Sequence, residues 1–401
     1  MKKVVVTGLG YQGALANSMA GFVAALHSGR GAFAWHRMAR SGRSFPAALY
    51  NAAASESTDR ERQILRGRPA AMRASCASAM EALRSARWTD RDCAIVVGGS
   101  NLHQADSVAA YERFLERPAY VNPRHAASFL DTTVVSAVSE IASLGGIGFT
   151  VGGGMASGNM ALFQGWTLIR AGSVRACLCI GAMSDFSELE LVALANLGAL
   201  ATLEPDAHAG SAAVSIPFDN RSPGFVYGQG AAAVLLESAD CAAGRGVESL
   251  AELAGASIVM DGHAGTEASA AGEEEAMKFA MDAAGMQASD VDYVNTHGTG
   301  TPTGDRAECM AIQQAVGNHA ILNATKAITG HTISAAGVVE LVATIVQMRE
   351  HFIHANPYLR SPVDTSLRFA GPNSTALTIH AALSNSFSIG GFNTCVAVRR
   401  A

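Results

Sequence analysis

Short runs rich in Val, Ile and Leu recur along this chain, each ending near glycine and followed by a longer segment of mixed polarity. Residues 4–7 form the first run, and 93–99, 175–181, 230–236 and 291–295 repeat it. Apolar runs bounded by turn signals predict buried strands, and the segments between them predict amphipathic helices, so the chain reads as α/β. Residues 333–348 predict a helix that is apolar nearly throughout. The Arg-, Ser- and Ala-rich stretch 31–73 reads as helices and loops added outside the sheet, as does 105–133. The character changes near 242–246, and 250–258 then restarts the strand pattern. The domain boundary is placed there, giving halves 1–245 and 246–401, and without a long linker they are expected to pack as one body.

Residues 8–13, Gly-Leu-Gly-Tyr-Gln-Gly, fit the GxGxxG pattern of a dinucleotide fold. That fingerprint also requires an acidic side chain about 20 residues further on. No acidic residue precedes Glu56, so the segment reads as a tight turn from the first strand into the first helix.

Composition narrows the class. With 401 residues, 49% apolar and 16% charged, the chain can bury a large core. A net charge of −5 makes no case for nucleic acid. No run of 18 apolar residues supports a membrane span, and Thr7, Gly8 and Gly10 interrupt the N-terminal apolar run too early for a signal peptide. Seven scattered cysteines without zinc-knuckle spacing suit a reducing cytoplasm and imply no metal site.

Three segments carry candidate chemistry. His297 stands directly after an apolar strand in the loop Asn295-Thr296-His297-Gly298-Thr299-Gly300-Thr301, whose backbone and hydroxyl donors can approach a bound amide chain. His331 follows Lys326 by five residues and leads into the apolar helix. Ser384-Asn385-Ser386-Phe387-Ser388-Ile389-Gly390-Gly391-Phe392-Asn393 is a glycine-centred turn between two strand-like runs. His351 and His354 share an HxxH spacing without a third ligand nearby and read as surface histidines.

In this order and spacing, with Pro217-Phe218-Asp219 and Gly224-Phe225-Val226, the segments resemble the β-ketoacyl-carrier-protein synthases from Met1 to the C-terminus. The resemblance implies a duplicated thiolase fold in five αβαβα layers, with cap insertions in the first half. It also implies a homodimer or a heterodimer with an active ketosynthase, and no bound cofactor. Substrates would arrive as thioesters on the phosphopantetheine arm of an acyl carrier protein.

The family's nucleophilic cysteine falls on Met155, a register fixed by Ala156-Ser157-Gly158 behind it. A thioether has no ionisable proton and cannot hold a transferable acyl group, so condensation is expected to be lost. Ser157 is turned roughly 200° away by helical geometry, and Thr150 lies upstream on the strand, so neither is expected to replace it.

By resemblance, His297 and His331 donate hydrogen bonds to the thioester oxygen of a malonyl group. Lys326 and Glu308 form the charged pair that orients His331, Thr299 and Thr301 hold the pantetheine amides, and Phe225 presses on the leaving carboxylate. Ile389, Gly390 and Phe392 occupy the gating loop, where Ile389 replaces a phenylalanine and Phe392 a threonine. The combination is similar to the decarboxylating ketosynthases of polyketide β-branching cassettes, which make acetyl-carrier protein from malonyl-carrier protein. Two alternatives stay open: a catalytically silent partner like a chain-length factor, and a condensing enzyme carrying an engineered Cys→Met change. The arginines between Arg30 and Arg73 read either as a docking rim for an acidic carrier protein or as a solvated helical face.

Overall fold

The computed structural model describes residues 1–52, 58–202 and 215–401. Eleven strands form one sheet in the order Arg368–Phe369, Ile321–Asn323, Tyr293–Asn295, Ala381–Ser388, Phe392–Arg400, Ala251–Met260, Val4–Gly13, Gly230–Ser238, Ala176–Gly181, Ala94–Gly98, Gly148–Val151. The pairing repeats on both sides of the central junction. From Gly148–Val151 inward the pairs run parallel, parallel, antiparallel, antiparallel, and from Ile321–Asn323 inward they do the same. The duplicated halves meet where Val5 and Val6 pair antiparallel with Glu252 and Ala251.

Helices Ser157–Arg170 and Ala336–Glu350 form the central layer, because each packs on strands of both halves. Ala70–Ser85 covers the first half-sheet from outside, and Ala270–Ala284 covers the second. The result is the expected five-layer αβαβα stack. Every residue from Ala336 to Met348 is buried, as a helix wrapped by sheet on two sides must be.

Two local expectations are corrected. Residues 8–13 are not a turn: strand Val4–Gly13 runs straight through them. The glycines serve close packing instead, since a Cβ on Gly10 would sit 1.9 Å from the Ser78 carbonyl oxygen of the covering helix, and one on Gly8 2.2 Å from that of Ala82. Nor is the stretch 31–73 only helices and loops. Ala34–Arg37 and Ser44–Ala48 form a hairpin whose second strand pairs with Tyr227–Gly228; residues 53–57 of that stretch lie outside the described residues. The expected outer segment 105–133 does form short helices, Gln104–Glu116 and His125–Ser128. Among the described residues, no helix is long and apolar enough to cross a membrane.

Candidate active site

His297 leaves the end of strand Tyr293–Asn295. Its loop is held by Glu308 of helix Pro302–Ala315, which accepts the His297 amide at 2.7 Å and the Gly298 amide at 2.8 Å. Asn385 Nδ2 donates to the same carboxylate at 3.0 Å, tying in the strand Ala381–Ser388. Asp305, one turn earlier, accepts the amides of Phe218 (2.6 Å) and Gly300 (3.0 Å). Burial pushes its carboxyl up to about 7 despite those donors.

The expected Lys326–Glu308 pair does not form. Lys326 Nζ instead meets Glu340 Oε1 at 2.5 Å, the His297 carbonyl at 2.5 Å and His297 Nδ1 at 3.2 Å. Glu308 is already committed to backbone amides and Asn385, while Glu340 reaches the ammonium from the central helix. Both charges are almost fully buried, at 1% and 2% exposure, a pairing tolerable only because each satisfies the other. Lys326 therefore orients His297, not His331.

These contacts define where the ring protons sit. An ammonium has no lone pair, so His297 Nδ1 must accept and Nε2 must carry the hydrogen. His331 Nδ1 accepts the Ile333 amide at 3.1 Å, which again puts the hydrogen on Nε2. That atom is buried without a hydrogen-bond partner among the described residues. The rings stand edge to face at 5.4 Å, and Phe225 meets His331 in the same way at 5.4 Å. Burial first, and the Lys326 charge second, hold both histidines well below their ordinary value. They are neutral donors at neutral pH.

A cavity of about 340 Å³ opens beside them. Met155, Phe225, His297, Phe387, Thr299 and Thr301 line it, together with Glu308 and Ile389. Thr299 and Thr301 hydroxyls lie 2.8 Å apart. Gly390, Phe392, Lys326 and His331 are not among the described residues that line it.

Met155 sits in the turn Gly154–Ala156 that opens helix Ser157–Arg170. Its amide donates to Ser388 Oγ at 3.0 Å and its carbonyl accepts from Ser386 Oγ at 3.1 Å. The side chain packs against the apolar cluster that contains Phe225, Ile333, Leu191 and Leu200. Ser157 Oγ is committed to Gly154 O at 2.6 Å and to the Gly153 amide. Thr150 Oγ1 contacts Asp131 O. No cysteine lines the cavity among the described residues.

Outside the site, Arg60 bonds Glu140 O and Ser143 Oγ, Arg62 bonds Asp59, and Arg66 lines a separate cleft with Arg68 and Arg124. None of them lines the cavity. His351 is exposed as expected and contacts Arg400. His354 is not a surface residue: it is fully buried, its Nδ1 2.8 Å from Ala355 O. Sequence reasoning also missed Glu340, the bond from Asn385 to Glu308, and Glu273, a buried carboxyl in the cavity wall.

Two family descriptions match this chain: Beta-ketoacyl synthase, N-terminal domain, over residues 1–242, and Beta-ketoacyl synthase, C-terminal domain, over residues 250–359. The chain belongs to the β-ketoacyl synthase family. This family member is 35% identical over its whole length to the polyketide biosynthesis malonyl-ACP decarboxylase PksF of Bacillus subtilis, covering 97% of that protein. It is 32% identical to 3-oxoacyl-[acyl-carrier-protein] synthase 2 of Synechocystis over 61% of its own length and 59% of the other's. Among solved structures, a β-ketoacyl synthase from Burkholderia phymatum superposes with a TM-score of 0.87 at 27% identity, each chain covered completely. The ishigamide ketosynthase/chain length factor gives 0.88 at 23% identity, covering all of this chain and 99% of that one. The fold is the duplicated thiolase fold.

Proposed function

We propose that this ketosynthase relative removes carbon dioxide from a malonyl group carried as a thioester on the phosphopantetheine arm of an acyl carrier protein, and does not condense the product. The observation that carries the reading is the pair of Nε2–H donors, on His297 and His331, set beside a cavity whose nucleophile position holds Met155.

The malonyl thioester oxygen accepts from the two imidazoles, with the carboxylate against Phe225 and the pantetheine amides on Thr299 and Thr301. The bond between Cα and the carboxylate breaks, carbon dioxide leaves, and the electron pair passes into the thioester enolate. Each preorganised donor aimed at the oxygen contributes on the order of 3–4 kcal/mol to that step. A condensing enzyme would next capture the carbanion with an enzyme-bound acyl group. Met155 holds none, so the enolate takes a proton and leaves as acetyl-carrier protein. Ile389 stands at the mouth, with Gly390 and Phe392 shaping its turn. Full-length similarity to a protein named malonyl-ACP decarboxylase supports the reading. A cytoplasmic homodimer built from halves 1–245 and 246–401 is part of the same proposal.

Intact mass spectrometry of malonyl-loaded carrier protein mixed with this chain tests it. The expected result is loss of carbon dioxide from the arm, dependent on His297 and without label on the protein. A malonyl arm that stays intact overturns the reading in favour of a silent partner to an active ketosynthase, detectable as co-purification with a cysteine-bearing chain.

A further inference from the structure

A decarboxylation that is not followed by condensation leaves a carbanion equivalent that must be protonated, either by water or by an acid of the cavity wall. The two histidines are committed as neutral donors toward oxygen. Glu308 and Asp305 spend their oxygens on backbone amides. Asp261 accepts from the His263 amide and from Asn393 Nδ2, and these donors hold its carboxyl below the ordinary range against the burial that raises it.

Glu273 is different. It lies in the first turn of helix Ala270–Ala284, capped by Ser269. Its side chain lines the same cavity as Met155, Phe225 and His297, yet it is only 2% exposed. Its Oε2 is buried with no hydrogen-bond partner among the described residues. No lysine or arginine lines the cavity among the described residues, so nothing there pairs with a carboxylate. Burial first, then the facing carboxyls of Glu308, Asp305 and Asp261, push Glu273 well above the ordinary range. Such surroundings favour the protonated carboxyl over the carboxylate.

We infer that Glu273 is the acid that protonates the enolate carbon. This assignment rests on the decarboxylase reading and adds a catalytic residue to it. As the enolate collapses, the Glu273 O–H bond breaks and a new C–H bond forms at the former Cα, giving the acetyl thioester and the Glu273 carboxylate. Water entering at the mouth returns the proton.

The test forms acetyl-carrier protein from malonyl-carrier protein in an equimolar mixture of H2O and D2O, and reads both kcat and the H:D ratio of the acetyl methyl group. Wild type is compared with Glu273→Gln, and with Glu273→Ala as a second variant should the first fail to fold. The expected result is a shifted H:D ratio, as water replaces the carboxylic acid as donor, with kcat at least about tenfold lower and KM unchanged. An H:D ratio identical to wild type overturns the role of Glu273, whatever kcat does. Absence of acetyl product from wild type overturns the decarboxylase reading itself, so the two failures are distinguishable.

Discussion

His354 and the pair His297/His331 are buried histidines of neighbouring loops, and burial depresses the basicity of all three. They differ in what the rings do with their nitrogens. His354 Nδ1 contacts the Ala355 carbonyl at 2.8 Å, Nε2 lies 3.4 Å from Thr325 Oγ1, and its amide donates to Gln347. Among the described residues, it is not one of those that line the cavity beside the pair. His297 and His331 each have Nδ1 fixed by an N–H donor, which places the hydrogen on Nε2, and among the described residues that of His331 has no protein acceptor. An inward-facing histidine becomes usable when the fold satisfies one nitrogen and withholds a partner from the other; burial alone does not make it so.

The largest expected effect breaks the support of the His297/His331 pair. Glu340→Leu leaves the Lys326 ammonium buried and unpaired and should cost about 3–5 kcal/mol of stability in denaturant titrations. The double variant Lys326→Met/Glu340→Leu should recover most of that stability while acetyl formation stays at least about tenfold below wild type, because nothing then fixes the His297 tautomer. Recovery of both would make the Lys326 network as purely structural as that around His354.

Next come the rings themselves. His297→Ala and His331→Ala should each lower kcat for acetyl formation about 10²–10³-fold, the loss typical of one oxyanion donor. His354→Gln should stay within about twofold of wild type per folded molecule. A His354 variant as inactive as the other two would collapse the distinction.

The sequence made the order of the chemistry legible, since the His297 loop, the Lys326–His331 segment and the glycine turn are each local. Partners supplied by the fold were less so. Glu308 follows His297 by eleven residues in the same motif and looks the natural mate for Lys326, but it is consumed by the very loop it sits under. The signal for Glu340 is that it is the one charge within the apolar run 333–348, and a lone charge in a buried helix must find a counter-charge. His354, flanked by Phe352, Ile353 and Ala355, carries the same kind of hint, which the HxxH spacing obscured. The hairpin Ala34–Arg37/Ser44–Ala48 was hidden because its second strand finds its other partner, Tyr227–Gly228, some 180 residues away.

Acid should separate the two kinds of site more gently. Burial brings His354 from 6.5 down to about 4 in the fold. Its folded value lies below the unfolded one, so the stability it contributes is present above about 6.5 and drains as pH falls toward 4. Between pH 7 and pH 5 this amounts to about 2 kcal/mol. His354→Gln should flatten the acid slope of the unfolding free energy by that amount, and an unchanged slope would mean the ring is not held neutral by burial.

The smallest effect belongs to Met155. Its side chain packs against the apolar cluster that contains Phe225 and Ile333, while its backbone is hydrogen-bonded through Ser386 and Ser388. A thioether in such a place fills volume, and Met155→Leu conserves that volume, so stability should change by less than about 1.5 kcal/mol and acetyl formation by less than about threefold. The proposed decarboxylation asks nothing of residue 155 except that it not be acylated and not block the arm. A large loss of kcat in Met155→Leu, with the melting temperature unchanged, would mean that the thioether touches the reacting carbon. The line between residues that act and residues that merely surround would then have to be redrawn to include Met155.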